Sequence, residues 1–188
     1  HREGLAMKYH LHEVLDIGMY SVKHLSWEVH EIEKPGTWHT TVGHSNSFAP
    51  ARYHFDLDLL YKDLAAYGHD PHTHYYLGVT HEAYASKVRP QLGVQHAEVQ
   101  YHAGLAAKYL ELRATAHYKD EFPDQRWAVM LQLGIVHTTY KPDYQRAVHW
   151  LSMCRDYNPQ QLECSLALCQ AHVNANQLDK ALAELHTV

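Results

Sequence analysis

Three short stretches carry the same local pattern, and it decides what kind of fold this chain can build. They are His74-Tyr75-Tyr76-Leu77-Gly78, Met130-Leu131-Gln132-Leu133-Gly134 and Ser165-Leu166-Ala167-Leu168-Cys169. In each, a small residue follows a Leu at helical spacing, so a second helix can approach the first closely at that point. A partner helix follows each, with alanines on its inner face: Ala103, Ala106 and Ala107, then Ala147, then Ala181 and Ala183. Leu110, Leu151 and Leu185 complete the inner faces. Gly134 and Cys169 are 35 residues apart, whereas Gly78 and Gly134 are 56 apart, so the first unit carries an insertion.

A paired-helix unit recurring every ~34 residues resembles the tetratricopeptide repeat. The expected fold class is therefore mainly α: tetratricopeptide-like helical hairpins, an α-solenoid, over residues 51–188. A small β-hairpin and loop segment, residues 1–50, precedes it. Along the helical part, apolar spacing predicts a helix from Arg52 to Tyr67 with Phe55, Leu59, Leu60, Leu64 and Tyr67 inward, ended by Gly68. Asp70-Pro71 opens the next helix as N-cap and first-turn proline, running to about Ser86. Val88 to Val94, with Pro90 and Gly93, reads as an inserted loop. A long helix from about Gln95 to Tyr118 follows. Glu121-Phe122-Pro123-Asp124, Lys141-Pro142-Asp143, Asn158-Pro159 and Asn174-Ala175-Asn176 mark the later turns.

The first 50 residues read differently. Ser26 to Glu33 and Thr37 to Gly43 flank Lys34-Pro35-Gly36-Thr37, whose central Pro-Gly is the signature of a type II turn. Trp27, Val29 and Glu31 share one face of the first run, and Trp38, Thr40 and Val42 one face of the second. A lone two-stranded hairpin is marginal in water, so this segment is expected to pack on something larger.

Several pieces recur in an order similar to the C-terminal part of a family 2-like (GT-A type) glycosyltransferase. Tyr9-His10-Leu11-His12-Glu13-Val14-Leu15 comes first and Val42-Gly43-His44 next. Arg52 to Asp56 with Leu59-Leu60, Tyr75-Tyr76-Leu77-Gly78, Tyr109 to Arg113, and Arg126-Trp127 follow. The resemblance covers essentially the whole chain. It implies nucleotide-sugar-dependent glycosyl transfer, with Glu13 as the catalytic carboxylate that contacts or activates the acceptor. His12 and His44 would face the nucleotide diphosphate, and His12 would also ligate a divalent cation, Mn or Mg. No cofactor is implied for the helical part, which would brace the cleft and bind a glycan or peptide acceptor or a second subunit. The nucleotide-sugar half, with its Asp-x-Asp, would lie before His1, and the fragment alone would be inactive. The chain begins at His1 rather than Met and is read as processed or as a piece of something longer. The alternative is a non-enzymatic scaffold whose concave helical face binds a protein partner, with room for a homo-oligomer.

Other constellations carry less chemistry. Val29-His30-Glu31 repeats the His-Glu dipeptide, at a place where a solvent-facing strand explains it. Asp56-Leu57-Asp58 mimics a metal-binding Asp-x-Asp, but on a helix its carboxylates point ~200° apart and instead suit the positive end of the helix dipole. In His69-Asp70-Pro71-His72-Thr73-His74, and at His81-Glu82 further on, the spacing fits no zinc site. Tyr75, Tyr76, Tyr84, Tyr109, Trp127 and Trp150 fall at packing positions.

Net charge is −5, which offers nothing to nucleic acid, and no apolar run approaches the ~18 residues of a membrane span. The 19 histidines are read as filling polar helix positions. Were all protonated, the charge would move from −5 to +14, so stability should depend on pH between ~5 and ~7. Cys154, Cys164 and Cys169 form no CxxC pair, leave one thiol unpaired in any disulfide scheme, and read as small buried hydrophobes. They leave the compartment, cytoplasmic or secretory lumen, open.

Overall fold

A computed structural model describes residues 6–7, 15–16, 50–68, 70–116 and 123–186. The described part is built of seven helices packed in sequential pairs. They are α1 Pro50–Tyr67, α2 Pro71–Leu92, α3 Ala97–Thr115, α4 Pro123–Thr139, α5 Tyr144–Tyr157, α6 Leu162–Asn174 and α7 Leu178–Leu185. Residues 6–7 and 15–16 form two two-residue antiparallel strands. The expected hairpin over 26–43 lies outside the described residues.

Helix ends follow local chemistry. Asp70 caps α2 by accepting a hydrogen bond from the Thr73 amide at 2.8 Å, and Asp143 caps α5 by accepting from that of Arg146 at 3.1 Å. Gly68 ends α1 with φ +68°, and Asn176 makes the last turn with φ +57°, both left-handed conformations that Gly and Asn tolerate best.

The core is a seam between paired helices. Leu77, Leu133, Leu110, Leu151, Ala103, Ala106 and Ala147 are fully buried, and Leu168 is nearly so. Gly78 and Gly134 make the pairing close. A Cβ on Gly78 would sit 2.5 Å from Leu110 Cγ, and one on Gly134 would sit 2.2 Å from Leu151 Cγ. The same contact thus recurs in the α2–α3 and α4–α5 hairpins.

Equivalent positions extend beyond this contact. Val129, Leu133 and Val136 of α4 recur 35 residues later as Cys164, Leu168 and Ala171 of α6, all six buried. Ala147 recurs 34 residues later as buried Ala181.

Several expectations need correcting. Pro90 lies inside α2, which runs six residues past Ser86 to Leu92, so the insertion is lengthened helix and not loop. Pro90 forfeits the hydrogen bond to the Ser86 carbonyl, yet the helix runs on to Leu92 and the chain leaves only at Gly93, φ +85°. The following helix is shorter than expected, Ala97–Thr115. On α1 the buried stripe runs through Leu57 and Leu60, with Leu64 partly buried, while Phe55 and Tyr67 are exposed. Ala183 and Leu185 of α7 are also exposed: among the described helices α7 packs chiefly on α6, with Arg155 of α5 reaching it through Glu184.

Cys154 and Cys164 are joined in a disulfide with Cα atoms 5.8 Å apart, because the turn at 158–161 folds the start of α6 onto the end of α5. Spacing alone did not show that pairing. Cys169 is the free thiol among them.

If the Gly134–Leu151 contact sets the hairpin spacing, Gly134→Ala lowers unfolding free energy by about 1–3 kcal/mol through overpacking. Gly104→Ala is the control, since its added Cβ would meet only the end of the Lys141 side chain, Nζ at 3.5 Å and Cε at 3.7 Å. That substitution should raise stability by about 0.5–1 kcal/mol through helix propensity. Urea unfolding midpoints of the two variants check both signs.

Candidate functional site

The polar chemistry of the helical part is concentrated in buried histidines. Three residues after Gly78, Gly134 and Cys169, at the same place in α2, α4 and α6, stand His81, His137 and His172. All three are buried, as are His72, His74 and His102. Histidine as a solvated filler of polar helix positions is therefore wrong for these six. An imidazole is small and flat, and it can enter a helix seam if its nitrogens find partners.

His81 sits in a hydrogen-bonded chain between three helices. Its Nε2 is 2.9 Å from Tyr61 Oη on α1, and its Nδ1 is 2.9 Å from His102 Nδ1 on α3. The Tyr109 ring of α3 lies parallel to His81 at 6.0 Å. Tyr84 stacks against His102 at 4.2 Å and donates its hydroxyl to Glu98. The His54 ring of α1 lies 5.2 Å from that of Tyr84.

Two facing Nδ1 atoms hold one proton between them. Either His81 donates and Tyr61 donates to His81, or His102 donates and His81 donates to Tyr61. The chain can thus reverse its proton order without moving a heavy atom. Burial pushes His81 down from 6.5 to about 4, with the neighbouring His102 adding to the shift. Burial also lowers His102, against the pull of Glu98 and with the help of His54. Burial raises Tyr61 above the usual phenol range.

Of the other two equivalent histidines, His137 lines a small pocket, and His172 is tied to Tyr144, another of its lining residues. The pocket holds about 110 Å³ between α4, α5 and α6, lined by His137, Thr138, Asp143, Tyr144, Ala171 and Asn174 among others. Tyr144 Oη is 2.9 Å from His172 Nδ1. Among the described residues His137 has no hydrogen-bond partner on either ring nitrogen, and its Nε2 is 3.7 Å from Glu111 Oε1, which also pairs with Arg146. Burial lowers His137, as does Arg146, against Glu111 and Asp143. Burial lowers His172 too, against Glu184. A buried unpaired imidazole costs about 1–3 kcal/mol, and a pocket of this volume has room for the water that would relieve it.

His72 packs edge-on against Tyr76, with ring centroids 4.7 Å apart, and His74 stacks on Tyr109 at 6.1 Å. Asp58, from the Asp-x-Asp mimic, pairs with Lys62 one turn on. Among the described residues no group of three or more His, Cys, Asp or Glu converges to hold a metal. No described helix is long and apolar enough to cross a membrane. Glu13, His12 and His44, on which the glycosyltransferase chemistry would rest, lie outside the described residues. The histidine set was missed in sequence although a signal existed: each of the three stands three residues beyond the small residue that marks its helix. Comparison with family models, curated proteins and solved structures finds no match to this chain.

These depressed imidazoles give stability a definite pH sign. The unfolded chain binds protons near pH 6.5 while the folded one resists them, so stability is full above about 6.5 and falls as pH drops toward about 4. Each such histidine adds at most about 1.4 kcal/mol per pH unit in that window. Urea midpoints between pH 4.5 and 7.5 should fall with acidity, and the H81L/H102L double variant should flatten the slope. An unchanged slope would count against the buried pair.

Proposed function

We propose that this chain is a tetratricopeptide-like scaffold that binds a protein partner and does no chemistry of its own in its helical part. The observation that supports it most is the position-for-position recurrence of seam residues. Gly78 against Leu110 and Gly134 against Leu151 repeat one contact, and His81, His137 and His172 repeat one polar insertion. Stacked helix pairs with a fixed repeat present a continuous surface built for extended partners. Helices α2, α4 and α6 touch in sequence along one side. The pocket between His137 and Tyr144 is large enough for one polar side chain of a partner.

Glycosyl transfer ranks below this reading. It needs Glu13, His12 and His44 together with a donor half, while the helices would serve it only as a brace. Of their buried histidines, His81 and His172 are tied to the phenols of Tyr61 and Tyr144, and His81 and His102 to each other.

Calorimetric titration with a nucleoside diphosphate and Mn²⁺ separates the two. The scaffold reading expects no saturable heat at millimolar ligand. Saturable binding that disappears in His12→Ala would replace it with the transferase reading.

A further inference from the structure

The buried pair His81 and His102 joins α2 to α3 and is tied to α1 as well. Their Nδ1 atoms face each other at 2.9 Å, and Tyr61 of α1 meets His81 Nε2 at the same distance. Beside this chain α1 buries Leu57 and Leu60 against Leu77 and Tyr109. The hairpin beneath is closed more extensively, by Leu110 on Gly78 and by Ala85, Val88, Val99, Ala103 and Ala106. Of the two joints the pair spans, α1 on the hairpin is the weaker.

The pair takes up protons in steps. Neutral, the two rings share one proton across their Nδ1 atoms. A first added proton makes one ring an imidazolium that still donates across that gap, but it places a charge in a seam where both rings are buried. A second puts a hydrogen on each Nδ1, and two N–H groups cannot face each other at 2.9 Å. The groups facing the pair are Tyr61 and His54 from α1, Tyr84 from α2, and Glu98, Tyr101 and Tyr109 from α3, with His74 behind Tyr109. Tyr140 of α4 donates to Glu82 instead. Glu98 is the one carboxylate among these groups; it favours a charged His102, and His54 opposes it.

We infer that α1 is a proton-operated latch: protonation of the His81–His102 pair lifts Pro50–Tyr67 off the α2–α3 hairpin and uncovers Leu77, Tyr76 and Tyr109 while the later helix pairs stay folded. The latch does not depend on the scaffold reading. Burial holds both rings neutral into acid, so α1 is closed above about pH 6.5, where hydrated histidine is neutral too, and opens as pH falls. With α1 lifted, both rings meet water and take up protons freely. Each contributes at most about a tenfold rise in the opening constant per pH unit, and the two together at most about a hundredfold. That steepness separates a two-proton latch from the loss of a single histidine contact.

Hydrogen exchange of the whole chain, read on peptic fragments and corrected for the chemical exchange rate, tests the latch between about pH 7 and about pH 5. Fragments covering residues 50–67 should open first, with an opening constant that rises more than about tenfold from pH 6 to pH 5, beyond what one proton supplies. His81→Leu combined with His102→Leu should abolish that rise in 50–67 and leave a slope in 123–174, where His137 and His172 remain. Circular dichroism at pH 7 confirms that the double variant is folded. Should it fail to fold, the imidazole nitrogen resonances of the unaltered chain decide, because His81 and His102 must take up protons over the pH range in which 50–67 opens. Opening of 71–92 and 97–115 together with 50–67, opening of 50–67 that ignores pH, or a rise that survives in the double variant overturns the latch.

Discussion

The described structure depends on a leucine pressed into the gap left by a glycine on the facing helix. Gly78 receives Leu110 and Gly134 receives Leu151, each so closely that no side chain would fit in the glycine's place. Burying a leucine side chain is worth about 1.5–3 kcal/mol, and the missing Cβ lets the backbones close enough to bury alanines on either side as well. Ala106 and Ala147, four residues before the two leucines, are both fully buried. The spacing of the pair, and hence of everything stacked on it, follows from that contact.

Close helix packing also explains where the histidines went. A tight seam of Ala, Gly and Leu leaves flat spaces one turn from the contact, and an imidazole fills such a space. Its polarity is then balanced by whatever the neighbouring helix supplies. For His81 that is Tyr61 and His102, and for His172 it is Tyr144. For His137 it is the distant Glu111 and a small pocket. One repeated insertion thus produces three environments, because the phenol that serves it comes from the adjacent unit and is not itself repeated.

Much of the helical architecture was legible in the chain itself. Asp70-Pro71, Gly68 and Lys141-Pro142-Asp143 announce helix ends through caps and turns that act locally, and the structure has those ends. Leu77, Leu133 and Leu168 were readable as core because each precedes a small residue at helical spacing. What was not legible depends on the neighbour. Pro90 looks like a break, yet the helix runs through it to Leu92. Phe55 looks like core, yet α1 turns Leu57 and Leu60 inward instead. Leu185 matches Leu110 and Leu151 in sequence and differs from them only because no described helix covers it. The disulfide between Cys154 and Cys164 needed the turn geometry, which spacing did not give. The glycosyltransferase likeness drew its chemistry from Glu13, His12 and His44, which lie outside the described residues.

The pairing of the helices stands or falls on the two leucine-to-glycine contacts. Nuclear Overhauser spectroscopy on methyl-labelled protein reads them directly, from the methyls of Leu110 and Leu151 to the α-protons of Gly78 and Gly134. Strong cross-peaks for both pairs are predicted. Leucine methyls that show neither cross-peak and relax with a soluble paramagnet would mean that the helices do not pair along this seam.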